Sequence, residues 1–449
     1  MSALATRVET QAGRALTPEE IFEITRARET SLSRLLMLYI TTGLLFMLLP
    51  GTLLGVWNLL AISSRHTANS VSAGWIQAHG HAQIFGWIGT FILGIGFYSI
   101  PKLRRMNPFA LRTAWVCWAL WTSGVSLRWL SGVYQWQWRV LLPLSAALEI
   151  IAFLLFFYSV SGHRPQDSGK QRLENWVFVV ISASVGLLVT LLVNLGASLF
   201  LAYRGSSSDL PAQFDQRFLV LQTWGFLVPF VWGFSAKWLP VFLGLRPVRG
   251  RVLLLAVAVN SAGVLTAMTG WMRAAVFLLL SGTIAAVCAL RFLEPTQQKA
   301  KVKGVHTSFP VFVRLAYVWA IVAAALGIWA TLIEDSHGIW GASRHALTVG
   351  FLATMVFSVG PRILPAFSGM RLLFSTKLMF LSLLLLTGGC LLRVSSEILA
   401  YQGFAGWAWS WLPVSAFAEM FAVTIFAVNL LFTFVRRPAA QEVSWSATT

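Results

Sequence analysis

Residues 79–103 read HGHAQIFGWIGTFILGIGFYSIPKL. From Ala82 to Pro101 the run carries no charged residue. That is about the twenty apolar residues an α-helix needs to cross a bilayer. A barrel strand would be about half as long and would alternate in character. The stretch therefore reads as a spanning helix, and the same reading applies along the chain. Apolar stretches at about 34–62, 77–100, 112–131, 139–160, 176–203, 217–243, 252–269, 274–292, 311–333, 344–367, 378–398 and 409–435 predict an all-α integral membrane protein of about twelve spans. The pair 252–269 and 274–292 also fits one broken hairpin. Composition agrees: 57% of the 449 residues are hydrophobic and 11% are charged, where a soluble domain carries about 25%.

The net charge of +18 reads as topology rather than as a nucleic-acid surface, because Lys and Arg collect in cytoplasmic loops. Basic residues fall before the first span (Arg7, Arg14, Arg26, Arg28, Arg34) and after every second one. The groups are Lys102, Arg104, Arg105 and Arg112; Arg164, Lys170 and Arg172; Arg246, Arg249 and Arg251; Lys299, Lys301 and Lys303; Arg371 and Lys377; and finally Arg436 and Arg437. The opposite loops hold only scattered positions such as Arg65, Arg139, Arg204 and Arg273. Both termini are expected in the cytoplasm, with the bacterial inner membrane as the setting and the lipid bilayer as the principal partner. Trp57, Trp75, Trp136, Trp138, Trp340, Trp407, Trp409 and Trp411 cluster at the outer ends, where amphipathic rings favour the headgroup layer. The chain divides into a cytoplasmic arm (1–33) with an amphipathic helix starting at Thr17-Pro18-Glu19-Glu20, a transmembrane domain (34–435) and a tail (436–449). The arm lacks a cleavable signal pattern. Ile21, Phe22 and Ile24 are expected against the membrane surface. Cys117, Cys288 and Cys390 lie in different spans and read as small buried residues.

The quoted stretch recurs. Residues 343–367 read SRHALTVGFLATMVFSVGPRILPAF, and aligning His345 with His81 matches Gly350 with Gly86, Gly360 with Gly96 and Pro365 with Pro101. Residues 220–242 (VLQTWGFLVPFVWGFSAKWLPVF) fit the same template with Val220 at the histidine column, Gly225, Ser235 and Pro240 at the later ones, and Gln222 matching Gln83. These are spans 2, 6 and 10, so the repeat has a four-helix period: a pseudo-threefold 4+4+4 bundle. A 6+6 transporter would repeat every six spans. Gly86, Thr90 and Gly94 form a flat face that admits another helix or a planar ligand.

Seven histidines are present. His163 and His306 fall in cytoplasmic loops, and His66 and His337 in outer ones. His79, His81 and His345 sit in the first turns of spans 2 and 10, at one depth in the outer third of the membrane. Ligating side chains inside a span are costly and point to function. If spans 2 and 10 face each other, His81 and His345 are candidate axial ligands of one haem iron. On a regular helix His79 points about 200° away from His81. Either the helix start is unwound or His79 serves a different site, a second metal or haem.

These residues resemble haem-copper oxidase subunit I, which has twelve spans, four-helix repeats and a haem between helices 2 and 10. The copper-binding histidines of that family have no match here: residues 216–269 contain no histidine. A second resemblance is to the NnrS family, haem- and copper-containing membrane proteins of nitric oxide metabolism. It rests on His79-Gly80-His81 followed by Phe85-Gly86, and on His345-Ala346-Leu347-Thr348-Val349-Gly350 with the later Arg362. It implies b-type haem on His81 and His345 beside Gly86 and Gly350, with His79 as an additional metal ligand. It further implies copper, nitric oxide or another small gas as ligand, and an electron donor of unknown identity. Two departures stand out: Ala82 replaces an acidic residue, and 364–371 lacks the family's histidine.

Among other polar residues, Arg128 is expected to snorkel. Glu149 and Glu419 are expected to be protonated or hydrogen-bonded, and Asn58, Asn194 and Asn260 to bond between helices. Arg362 and Lys237 fall at cytoplasmic helix ends. The alternatives left open are a cofactor-free scaffold or assembly subunit, a twelve-helix transporter, and a divergent oxidase or nitric oxide reductase subunit. Whether the chain is an enzyme is not readable from these residues.

Overall fold

A computed structural model of the protein describes residues 17–104, 109–161, 174–333 and 337–436. Arg7, Arg14, Arg105, His163, Arg164, Lys170, Arg172 and Arg437 lie outside the described residues, as does most of the tail. The described chain forms twelve helices. They are α1 (Pro18–Arg65), α2 (Ala73–Leu103), α3 (Leu111–Tyr134), α4 (Trp138–Ser161), α5 (Asn175–Arg204), α6 (Ala212–Leu243), α7 (Gly250–Met268), α8 (Met272–Leu290), α9 (Phe309–Leu332), α10 (337–367), α11 (Thr376–Tyr401) and α12 (Ala408–Val435). Eleven are long and apolar enough to cross a membrane. The twelfth, α3, carries Trp115, Trp118, Trp121, Trp129, Arg112 and Arg128, which lower its hydropathy, yet it packs along α4 like the others. The protein is an all-α integral membrane protein. The pair α7 and α8 forms two separate helices joined by a tight turn at Gly270.

The capping box at Thr17 and Glu20 is present. The helix it starts runs unbroken into the first span. Phe22 and Ile24 are exposed on this extension. Cys117 and Cys390 are buried as expected, whereas Cys288 is exposed on the outward face of α8. A cysteine is apolar enough to sit on that face without a partner.

The repeat has a backbone signature. Helices α2, α6 and α10 each begin with nine α-helical residues that end on the aligned column: Ala73–His81, Ala212–Val220 and His337–His345. A π-helical segment starts at the next residue in all three: Ala82–Gly89, Leu221–Leu227 and Ala346–Ala353. π-Segments are rare and gather at functional sites, so three at one column are a strong mark of common architecture. The aligned prolines Pro101, Pro240 and Pro365 lie near the far ends of the same helices. At a shared position before each proline, a side chain pins the helix to the preceding helix or to the segment leading into it. Tyr98 donates to Glu29 at 2.9 Å, Lys237 to Glu174 at 2.8 Å, and Arg362 to the Lys303 carbonyl.

The ends carrying the basic residues gather on one face. Arg28 donates to the Phe109 carbonyl, Ser33 to that of Phe367 and Arg371 to that of Arg436. On the opposite face Trp75 donates to the Val133 carbonyl, Ser63 to that of Trp409, and His66 stacks on Trp409 at 5.2 Å. The flat face of α2 is filled by a helix: a side chain at Gly86 would meet Phe46 and one at Gly94 would meet Tyr39, both of α1. Gly350 is likewise packed against Trp319 of α9.

Candidate functional site

A cavity of about 610 Å³ opens between the histidine-bearing halves of α2 and α10 and reaches α1, α3, α5, α6, α11 and α12. Its volume falls in the range of sites for small molecules and cofactors. His79, His81 and His345 all border it, and Gly86 and Gly350 do not.

His79 and His81 belong to the regular first segment of α2, before the π-segment, so their side chains leave the helix in nearly opposite directions. Nδ1 of His79 lies 2.9 Å from the Gly51 carbonyl of α1. That carbonyl can only accept, so Nδ1 carries the proton and Nε2 keeps its lone pair. The ring fits because α1 has Gly55 there: an added Cβ would sit 2.7 Å from His79 Cε1. His345 is built the same way. Its Nδ1 lies 2.9 Å from the Gly341 carbonyl and 3.1 Å from Glu397 Oε2. Its Nε2 lies 3.5 Å from Arg393, at the long limit of a hydrogen bond. Gly341 is small by necessity, since any Cβ would collide with the Glu397 carboxylate. Both imidazoles thus offer an unprotonated Nε2, with Nδ1–H fixed on a carbonyl, the arrangement that orients a ligating histidine. His345 and Arg393 are within electrostatic reach of His79.

His81 faces the other way. Its Nε2 is 2.8 Å from Oε1 of Glu149 on α4, and its ring stacks on Phe85 at 4.5 Å. Glu149 is fully buried, and its second oxygen has no partner among the described residues. This nitrogen is committed to a carboxylate rather than to the cavity.

Two residues of the site escaped the sequence reading, Arg393 and Glu397 of α11. A legible signal existed. Gly124-x-x-x-Arg128-x-x-Ser131 in α3 recurs as Gly389-x-x-x-Arg393-x-x-Ser396 in α11. Pro143-x-Ser145-Ala146-x-x-Glu149 in α4 recurs as Pro413-x-Ser415-Ala416-x-x-Glu419 in α12. The packing repeats with the sequence: a Cβ at Gly124 would lie 2.8 Å from Glu149 Cγ, and one at Gly389 would lie 2.9 Å from Glu419 Cγ. Arg128 does not snorkel. Its side chain is 5% exposed and turns inward to border the cavity. Of the asparagines, Asn260 bonds the Trp224 carbonyl at 2.7 Å. Asn58 Oδ1 and Asn194 Nδ2 are buried at the cavity without partners among the described residues.

The wall also holds Gln83 Oε1 and Trp87 Nε1, buried and unpartnered among the described residues. Orphaned polar atoms around two ligand-ready imidazoles fit a large polar-edged cofactor such as haem. Copper is not matched in the same way: no group of three or more His, Cys, Asp or Glu among the described residues is placed to hold a metal ion.

Residues 236–434 match a family model described as a domain of unknown function (DUF8744). No curated protein matches the chain by sequence. Among solved structures, a haem-copper terminal oxidase determined as a dimer by cryo-electron microscopy superposes with a TM-score of 0.54 at 12% identity, over 91% of this chain and 84% of that one. The likeness establishes a haem-copper-oxidase-like fold.

Proposed function

We propose that the protein is a redox membrane protein that holds a haem, b-type by expectation, in the cavity between α2 and α10. We further propose that it serves nitric oxide binding, metabolism or protection, as in the NnrS family. His345 and His79 would hold the iron. His81 has the matching repeat position, but its Nε2 belongs to Glu149, so we assign it to the neighbouring wall. The carrying observation is the shared build of His79 and His345: each has Nδ1 at 2.9 Å from a backbone carbonyl and Nε2 free of any close hydrogen bond. The haem would supply one-electron chemistry. The protein's part is to fix the two rings and to tune the site with Glu397 and Arg393. The charge pattern supports an orientation with the basic face in the cytoplasm, and a bacterial inner membrane is the setting this reading assumes.

The test is the optical spectrum of the detergent-purified chain from haem-replete cells, oxidised and dithionite-reduced, with a pyridine haemochrome assay. A Soret band with sharp reduced α and β bands is expected. A colourless protein would overturn the haem reading and favour a cofactor-free membrane scaffold.

A further inference from the structure

Arg128 poses a question that the haem reading does not answer. Its guanidinium is buried, yet no described carboxylate lies within ion-pair distance of it. Glu149, Asp215 and Asp209 act on it only from farther away, and Glu149 already accepts from His81 at 2.8 Å. Its repeat counterpart shows what is missing. Arg393 has Glu397 four residues on, with Nε 3.5 Å from the carboxylate. Four residues after Arg128 stands Gly132, where a Cβ would already press on Ala78 at 3.2 Å. Asp215 borders the same cavity but does not reach Arg128; a buried cation with no anion in contact is expensive in a bilayer, so the guanidinium keeps a free face for an anion.

Other donors around the cavity share the problem. Asn194 of α5 is 2% exposed, and its Nδ2 finds no acceptor among the described residues. Gln222 of α6 is 6% exposed and makes no hydrogen bond to a described residue. All three side chains border the cavity. A guanidinium fork offers two parallel N–H groups, which match a planar oxyanion, and the two amides add donors.

We propose that Arg128, Asn194 and Gln222 form a binding site for a small carboxylate-like anion on the α3–α5–α6 side of the cavity. The anion is either free in solution or the carboxylate arm of a cofactor held in the same cavity. The first source stands without the haem reading, and the second rests on it.

The experiment uses the full chain in detergent at constant ionic strength. Formate and nitrite serve as planar probes and chloride as a spherical control, read by thermal unfolding and by titration calorimetry. Pigment per protein is measured in the same preparations. For a free anion, formate or nitrite raises the Tm of the wild type. Arg128→Gln then weakens binding at least tenfold, Arg128→Lys falls between, and pigment is unchanged. For a cofactor arm, no free anion binds the pigmented wild type, and Arg128→Gln lowers pigment per protein by more than half while the Soret position of what remains is kept. Asn194→Leu tests the same site without altering its charge and serves if the arginine variants fail to fold. The proposal is overturned if wild-type Tm and heat show no response to either planar anion and neither Arg128→Gln nor Asn194→Leu changes pigment content. A colourless wild type that binds formate would sink the haem reading alone.

Discussion

Helices α2–α4 and α10–α12 are two copies of one design, and they have been put to different use. Each copy has a histidine at the column before a π-segment, a Gly-x-x-x-Arg helix and a Pro-x-Ser-Ala-x-x-Glu helix. In the first copy the histidine turns to the glutamate of the third helix, His81 to Glu149. In the second it turns to the second helix, His345 to Glu397 and Arg393, and Glu419 keeps an oxygen without a partner among the described residues. A single added carboxylate, Glu397 against Gly132, accounts for much of the difference. It lies 3.5 Å from one arginine and 3.1 Å from one histidine, whereas the other arginine has no carboxylate within ion-pair distance among the described residues. His79, which has Ser343 as its counterpart in the second copy, is held by its contact with Gly51 of α1 and borders the same cavity as His345.

The arginines give the largest contrast. Arg393→Leu leaves the buried Glu397 carboxylate with only His345 Nδ1, at 3.1 Å, beside it and should cost about 3–5 kcal/mol, as for other broken buried pairs. Arg128→Leu removes a cation with no ion-pair partner and, in protein free of anion and cofactor, should cost no more than about 1 kcal/mol. Melting temperatures of the two variants measured side by side check this, and equal losses would break the comparison. The glycines should behave alike in kind. Gly124→Ala and Gly389→Ala each force a methyl group against a glutamate, for about 1–3 kcal/mol. Gly124→Ala should cost more, because the Ser145 carbonyl lies 2.9 Å from the added carbon, against 3.3 Å for that of Ser415. The reverse order in thermal melts would argue against the packing described.

The smallest effect belongs to the middle copy, at the position that pins α6 to the start of α5. The Lys237 ammonium holds the Glu174 carboxyl below its ordinary value of 4.5. A lowered folded pKa means the pair contributes fully above that value and is lost as pH falls through the lowered one. Glu174 is mostly exposed, so the gain is a fraction of a kcal/mol. The Tm gap between wild type and Glu174→Gln should therefore be small at neutral pH and should close below pH 4.5. A gap that widens with acid would contradict the sign.

Most of the fold was legible because it is written in long apolar runs and in widely spaced Gly and Pro columns. Span ends read from composition differ from the helix ends by a few residues at most sites, and the column of His81, Val220 and His345 marks a real backbone feature. The site was only half legible. Depth follows from position along a helix, and all three histidines border one cavity. Facing depends on how α2 is rotated against α1 and α4, which spacing within α2 does not reveal. Arg393 and Glu397 were hidden in a span whose apolar average drew attention away from its two charges. The signal that marks Arg393 lies in the match of α3 to α11, Gly124-x-x-x-Arg128 to Gly389-x-x-x-Arg393, rather than in α2 and α10.

The central claim is that His79 and His345, on different copies, face one cofactor while His81 faces Glu149. The most direct measurement is the optical spectrum of the reduced protein and the low-temperature EPR spectrum of the oxidised protein for His79→Ala, His81→Ala and His345→Ala, each against wild type. The account predicts loss of the low-spin signature in His79→Ala and His345→Ala and its retention in His81→Ala. Loss in His81→Ala with retention in His79→Ala would contradict it.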